Sequence, residues 1–336
     1  MIYNILQIQN KNLKKMNLIS EKSTNEEYVV GIGAANLDIY GKSLIDLKPK
    51  YDHPSKITTS VGGVTRNVLC NLSLLKINTK LLATIGEDMF GKIILEDCIK
   101  NNIDINNVLK IKNESTGVFI QIFDNKNDMH MALCDMTINK NITVEYLTKN
   151  KNLLKNAKII CFDPSLPVDS IKYLIENYGS KIYLDPLSDE YALKIKPYID
   201  KIFAIKPNKT ELEILSDMKI NTEDDLNKAC EKLIKNGTKK LYVTLGDKGA
   251  LFFSEKNKIR KKFKPVEKMV NASGAGDSFF ATIIFGNIKN LKEEESLELA
   301  MAAGILTVQS NETISPVLCL ENLKKIIMEE KKDKND

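Results

Sequence analysis

Apolar residues in this chain fall into two rhythms. Short unbroken runs alternate with longer stretches whose apolar positions recur every three or four residues, the signatures of buried strands and of helices. Residues 28–34 form the first run, ending in Gly31-Ile32-Gly33-Ala34, which reads as a strand opening onto a loop. Val68, Leu72 and Leu75 then keep helical spacing. Residues 81–85 read as a strand, and Gly86-Glu87-Asp88 caps a helix carrying Phe90, Ile93, Ile94 and Cys98. The runs 117–123 and 129–134 flank a polar turn at 124–128, which is a β-hairpin pattern. From Lys158 onward strand and helix alternate: 159–162, 182–184, 202–205 and 241–244 are strands, with helices at 168–178 and 190–195. Crossovers of that length make a parallel sheet, whose ligands sit beyond the carboxyl ends of its strands. Runs at 250–253 and 259–263 continue as strands, and an apolar helix begins at Phe279 and Phe280. Residues 298–308 give a helix with Ala300, Ala302, Ala303 and Gly304, small side chains that suit either a flat ring or tight helix packing.

The length of 336 residues is enough for one large α/β domain or two modest ones. No apolar run approaches the ~20 residues that span a bilayer, and the N-terminus lacks the pattern of a secretory signal. The net charge of +5 comes from lysines interspersed with acids, a solvated surface rather than a nucleic-acid stripe. The cysteines Cys70, Cys98, Cys134, Cys161, Cys230 and Cys319 are scattered, several within apolar patterns. Free thiols there behave as small buried hydrophobes, which argues for a reducing, cytoplasmic setting and against a zinc site. His53 and His130 read as ordinary loop or strand residues. Residues 1–26 are polar and read as a flexible extension, 27–328 as the folded domain, and 329–336 as a charged tail.

The chemistry concentrates in Gly274-Ala275-Gly276-Asp277, immediately before the apolar helix at Phe279. A glycine turn running into a helix start presents main-chain N–H groups with no intrahelical acceptors, and so makes an anion site. A carboxylate fixed beside such a site repels a phosphate unless it has a task, and accepting the proton of an attacking hydroxyl is one. An aspartate at a helix start is equally an N-cap. A second glycine pair, Gly62-Gly63, precedes Asn67, one turn into the next helix. Asp38 can accept from two vicinal hydroxyls, or be a plain turn residue. Asn208 and Glu211 fit a variant of the capping box, and Lys206 just before them adds positive charge nearby or is simply solvated. Asp163 and Asp185 close two strands as Asp-Pro and so face the cleft or simply end the strands. Thr244, Gly246 and Gly249 fit a glycine-rich hairpin, and Gly31-x-Gly33 lacks the third glycine of a dinucleotide motif.

In that order the motifs resemble the ribokinase-like (PfkB) sugar and nucleoside kinases, from about Tyr28 to about Ile327. The resemblance implies a three-layer α/β/α sandwich with a small β-sheet lid drawn from 36–60 and 104–135. It implies Asp277 as the base, with the amides of Gly274, Ala275 and Gly276 as the anion hole. Gly33-x-x-Asn36-x-Asp38 is similar to the loop whose aspartate holds a sugar hydroxyl pair, and Gly62, Gly63 and Asn67 to the sugar-contacting signature. Asn208 and Glu211 are implied to organise water around Mg²⁺ and the ATP phosphates, and Thr244, Gly246 and Gly249 to form the nucleotide loop. Gly62-Gly63-Val64-x-Arg66-Asn67 looks like the pseudouridine kinases, as does Asp135-Met136 at the end of the hairpin. Asp135 then contacts the base, or is a strand-end turn residue. The activity so implied is ATP-dependent phosphorylation of a nucleoside 5′-hydroxyl, pseudouridine first, with a ribokinase or other sugar kinase as the alternative. A non-catalytic binding protein on the same fold is the reading from a different class, which the intact motifs disfavour. A homodimer through the lid is the one macromolecular partner foreseen. Asn271 stands where many relatives carry an aspartate of a monovalent cation site, which counts against potassium activation.

Overall fold

Short apolar runs become strands because a strand covered on both faces has no polar side to show. In chain order the strands are β1 (Tyr28–Ile32), β2 (Asn36–Ser43), β3 (Ser55–Gly62), β4 (Asn78–Leu82), β5 (Thr84–Gly86), β6 (Ile103–Asp104), β7 (Leu109–Ile111), β8 (Val118–Phe123), β9 (Met129–Asp135), β10 (Ile159–Phe162), β11 (Ile182–Leu184), β12 (Ala204–Ile205), β13 (Lys240–Thr244), β14 (Ala250–Ser254) and β15 (Lys258–Lys261). The helices are α1 (Val64–Leu74), α2 (Met89–Lys100), α3 (Val144–Lys149), α4 (Lys151–Asn156), α5 (Val168–Tyr178), α6 (Asp189–Ile195), α7 (Lys209–Ser216), α8 (Glu223–Asn236), α9 (Ala275–Ile288), α10 (Glu293–Val308) and α11 (Leu320–Lys332). The computed structural model describes residues 27–264, 266, 269, 270 and 273–332, so the segment 1–26 and Asn271 lie outside the described residues.

Nine strands form the main sheet in the order β15-β14-β13-β12-β11-β10-β1-β4-β6. From β6 to β13 every pair is parallel; β14 and β15 add an antiparallel hairpin at one edge. Alternation along each strand divides the core. Val29 and Tyr242 point to the side covered by α1, α9, α10 and α11, while Val30 and Val243 point to the side covered by α5, α7 and α8. This is the three-layer sandwich. Chain order reverses at β1 and β10: from β1 the sheet grows one way to β4 and β6, and from β10 it grows the other way. The loops after these two strands part there, leaving a crevice at the carboxyl ends.

Over that crevice stands a second sheet, ordered β3-β2-β8-β9. Its registers place Ser60, Asp38, Phe119 and Cys134 in one row, and Thr59, Ile39, Ile120 and Leu133 in the next. Adjacent rows face opposite ways, so one face of this lid carries Asp38 and the other carries aliphatic side chains.

Several boundaries differ from the sequence pattern. The run 81–85 is two strands: β4 joins the main sheet, whereas β5 pairs with β7 in a sheet of its own. The small-residue helix starts earlier, at Glu293, because three acids in its first turn suit the positive end of the helix dipole. Residues 329–332 are not a free tail but the last turn of α11, held as Lys331 Nζ meets Glu298 Oε2 at 2.8 Å and Glu330 accepts from the Lys264 N–H. Four cysteines are buried as expected, but Cys134 is exposed because β9 is the edge of the lid. His53 accepts from the Lys48 N–H at 2.8 Å in a loop, and His130 lies on β9. Among the described residues no helix is long and apolar enough to cross a membrane.

Candidate active site

The glycine turn before α9 is built as the sequence requires. Gly274 is the N-cap with φ 81°, and a Cβ there would fall 1.9 Å from the Thr313 carbonyl oxygen, so only glycine fits. The first intrahelical bond is made by the Ser278 N–H to Gly274 O at 2.9 Å, which leaves the preceding N–H groups aimed outward. Asp277 is the third residue of the helix, not its N-cap, and among the described residues no side chain caps this helix. The N-cap alternative is therefore excluded. Asp277 is buried, and its Oδ2 accepts from Asn67 Nδ2 at 2.8 Å. This bond joins α9 to the first turn of α1 across 210 residues of chain. Burial, and more weakly the charge of Asp185, push the Asp277 carboxyl up to about 6, against the opposing effects of Asn67, Lys206 and Arg66. Among the described residues Asn67 Oδ1, which is buried, has no hydrogen-bond partner.

Beneath the turn lies a buried lysine. Lys206 Nζ stands 2.7 Å from Asp185 Oδ2, and a Cβ on Gly276 would come 3.6 Å from the same ammonium. Burial pulls its pKa down, but the carboxylates Asp185, Glu211 and Asp277 outweigh burial and hold it raised. Asn208 and Glu211 form the capping box of α7: Glu211 Oε2 accepts from the Asn208 N–H at 2.8 Å, and Asn208 Oδ1 from the Glu211 N–H at 2.9 Å. Burial and then Asp185 push Glu211 up to about 7. Asn208 also bridges to Thr244, whose N–H donates to Pro207 O at 3.0 Å. Leu245 N–H donates to Gly249 O at 2.9 Å, closing the turn that holds Gly246 and Gly249. Asn208, Glu211, Thr244, Gly246 and Gly249 are thus one neighbourhood.

At the lid root, Asn36 Nδ2 donates to Asp38 Oδ1 at 2.7 Å and the Tyr40 hydroxyl to Oδ2 at 3.1 Å. Burial raises the Asp38 pKa, opposed by Asn36, Tyr40 and Arg66. Gly62 lies directly under this carboxylate, since a Cβ there would meet Asp38 Oδ1 at 2.3 Å, and Gly63 is the N-cap of α1. Asn36, Asp38, Gly62 and Gly63 therefore gather at the start of α1, and Asn67 ties that start to Asp277. Asp135 does not join them. It ends β9 exposed, one residue out of phase with the Asp38 row; its carboxylate accepts from the Thr137 N–H at 3.0 Å, and the Thr137 hydroxyl, then that N–H, keep its pKa low. Asp163 and Asp185 separate. Asp185 sits with Lys206, whereas Asp163, buried with a raised pKa, accepts from the Ser165 N–H at 2.8 Å and packs against Gly33. Ala300, Ala302 and Ala303 are fully buried in the packing of α10, where Ser278 Oγ donates to Ala303 O at 3.2 Å. Sequence reasoning missed Tyr40, which period-two spacing from Asp38 places on the same face. It gave Arg66 no role of its own and Lys206 only a weak one, because no local pattern distinguishes a buried lysine from a solvated one.

A buried carboxylate, hydrogen-bonded by Asn67 beside the unbonded N–H groups of a helix start, suits deprotonation of a hydroxyl that attacks a phosphoryl group. The comparisons agree with it. Residues 26–318 match the pfkB family carbohydrate kinases, and the chain belongs to that family. It is 27% identical over 304 residues to the pseudouridine kinase of Escherichia coli K12, covering 90% of this chain and 97% of that one. It is 28% identical over 306 residues to a sugar kinase of the same organism described as uncharacterized, YeiI, covering 90% and 84%. The Arabidopsis thaliana ribokinase solved with ribose and ATP superposes with a TM-score of 0.77 at 24% identity, covering 90% of this chain and 99% of that one. Family membership makes this chain a sugar or nucleoside kinase with ATP as donor and a hydroxyl as acceptor.

Proposed function

We propose that the chain transfers the γ-phosphoryl group of ATP to the 5′-hydroxyl of a nucleoside, with pseudouridine as the preferred acceptor. The observation that carries this reading is the Asn67–Asp277 hydrogen bond of 2.8 Å, which holds a buried carboxylate beside the outward N–H groups at the start of α9. Asp277 takes the proton of the acceptor hydroxyl as that oxygen bonds to the γ-phosphorus. The bond from the γ-phosphorus to the β–γ bridging oxygen breaks, and its electron pair leaves with ADP. The N–H groups of Gly274, Ala275 and Gly276 stabilise charge on the transferring group. Asp38 and Asn67, with the backbone at Gly62 and Gly63, hold the ribose; Asn67 Oδ1 is an acceptor awaiting a hydroxyl donor. Asn36 orients Asp38. Thr244, Gly246, Gly249 and Asn208 line the nucleotide.

Among the described residues no three His, Cys, Asp or Glu side chains converge as a metal cage. Magnesium held mainly by phosphate oxygens and water needs only one or two protein carboxylates. Glu211, whose burial beside Asp185 raises its pKa, is suited to a divalent cation through water, with Asn208 beside it. That ion would supply charge neutralisation on the phosphates.

Pseudouridine is preferred over ribose because Gly62-Gly63-Val64-x-Arg66-Asn67 resembles the pseudouridine kinases, and one such kinase is among the relatives. An ADP-release assay with pseudouridine, uridine, adenosine, ribose and fructose tests it. Pseudouridine should give the highest kcat/KM; a preference for free fructose would reject the nucleoside reading.

A further inference from the structure

Arg66 is charged yet only 2% exposed, lying between Thr65 and Asn67 in the first turn of α1. Burying a guanidinium is costly unless it is paired and hydrogen-bonded. Its partners are specific. Nε donates to Gly62 O at 3.3 Å, and Nη1 stands 3.4 Å from Asp97 Oδ2 on α2. Gly62 is the last residue of β3 and pairs with Asn36, the first residue of β2. The carbonyl that Arg66 holds thus sits where β3 ends and β2 begins. Gly62 also lies beneath the Asp38 carboxylate, while the residue after Arg66 is the one that holds Asp277. The positive charge of Arg66 acts on both Asp38 and Asp277.

We propose that Arg66, braced by Asp97, is a positioning residue that locks the root of the lid to α1 and so fixes the spacing between the acceptor-holding Asp38 and the base Asp277. The proposal deepens the kinase reading and rests on it. Arg66 reaches the acceptor through Gly62 and Asp38, and among the described residues its hydrogen bond and ion pair go to Gly62 and Asp97, not to Asn208, Thr244 or Gly246. Its loss should therefore be felt on one substrate and not on the other.

The test compares wild type, Arg66→Met and Asp97→Asn in the full chain, by hydrogen exchange of residues 36–43 and 55–62 and by steady-state kinetics. In Arg66→Met, exchange at the lid roots should quicken by roughly tenfold or more relative to the main-sheet strands. The acceptor KM should rise roughly tenfold to a hundredfold, the span that loss of a charge-assisted hydrogen bond implies, with the ATP KM within about twofold. Asp97→Asn should change the same quantities in the same direction by less. A folded Arg66→Met protein with unchanged lid exchange and acceptor KM overturns the proposal, as does an equal rise in both KM values. Should Arg66→Met fail to fold, Asp97→Asn decides: acceptor-selective change supports the proposal and no change overturns it. If wild type turns over no member of the acceptor panel, the kinase reading fails, whereas the exchange comparison still decides whether Arg66 anchors the lid.

Discussion

At the scale of single residues the account turns on carboxylates whose protonation is set by burial. Asp277 must be ionised to accept a proton, and burial has raised its pKa to about 6. The rate with the preferred acceptor should therefore fall as pH drops through about 6. The stability sign runs the other way. A carboxyl whose folded pKa is raised penalises the ionised native state above that pKa, and the penalty vanishes towards the ordinary value of 3.8. Asp277→Asn keeps an acceptor for Asn67 and removes the buried charge, so its melting temperature should exceed that of wild type by several degrees at neutral pH. The gain should fade at about pH 4. Equal melting temperatures at neutral pH would argue against a buried, ionisable Asp277. Asp277 was legible from the sequence because its neighbours are local: two glycines and a helix start fix what surrounds it. Lys206 was not, since the Asp185 that pairs with it comes from a different strand.

Among the elements, the start of α9 is the most constrained. Its N-cap combines a left-handed backbone with a carbonyl contact that no side chain can share. Gly274→Ala should cost on the order of 2–4 kcal/mol of stability and abolish turnover. Calorimetry checks the first effect and the ADP-release assay the second; an active variant of wild-type stability would show that the turn is built differently. Capping was the most readable part of the chain. The Asn208–Glu211 box and the Asp88 cap of α2 both form, because a cap is settled within four residues. The split of 81–85 into β4 and β5 was not readable, because the partners β6 and β7 that separate them lie some twenty residues further on.

For the whole molecule, strand runs and crossover lengths implied a parallel sheet, and the crevice at β1 and β10 follows from strand order. Strand order itself is decided by pairing between distant segments, which no local pattern records. The lid poses a further question at this scale. Its face opposite Asp38 exposes Ile57, Met131 and Leu133, each more than two-fifths accessible. We propose that a second copy of the chain covers this face, making a dimer through the lid. Sedimentation should show a dimer for wild type and a monomer for Met131→Lys with Leu133→Lys. A wild-type monomer at micromolar concentration would contradict this.

The most direct test of the account is turnover by Asp277→Asn at saturating ATP and pseudouridine, with ATP affinity measured in parallel. The prediction is a kcat lowered by about 10²-fold or more with ATP binding largely retained. A kcat near that of wild type would contradict the assignment of Asp277 as the base.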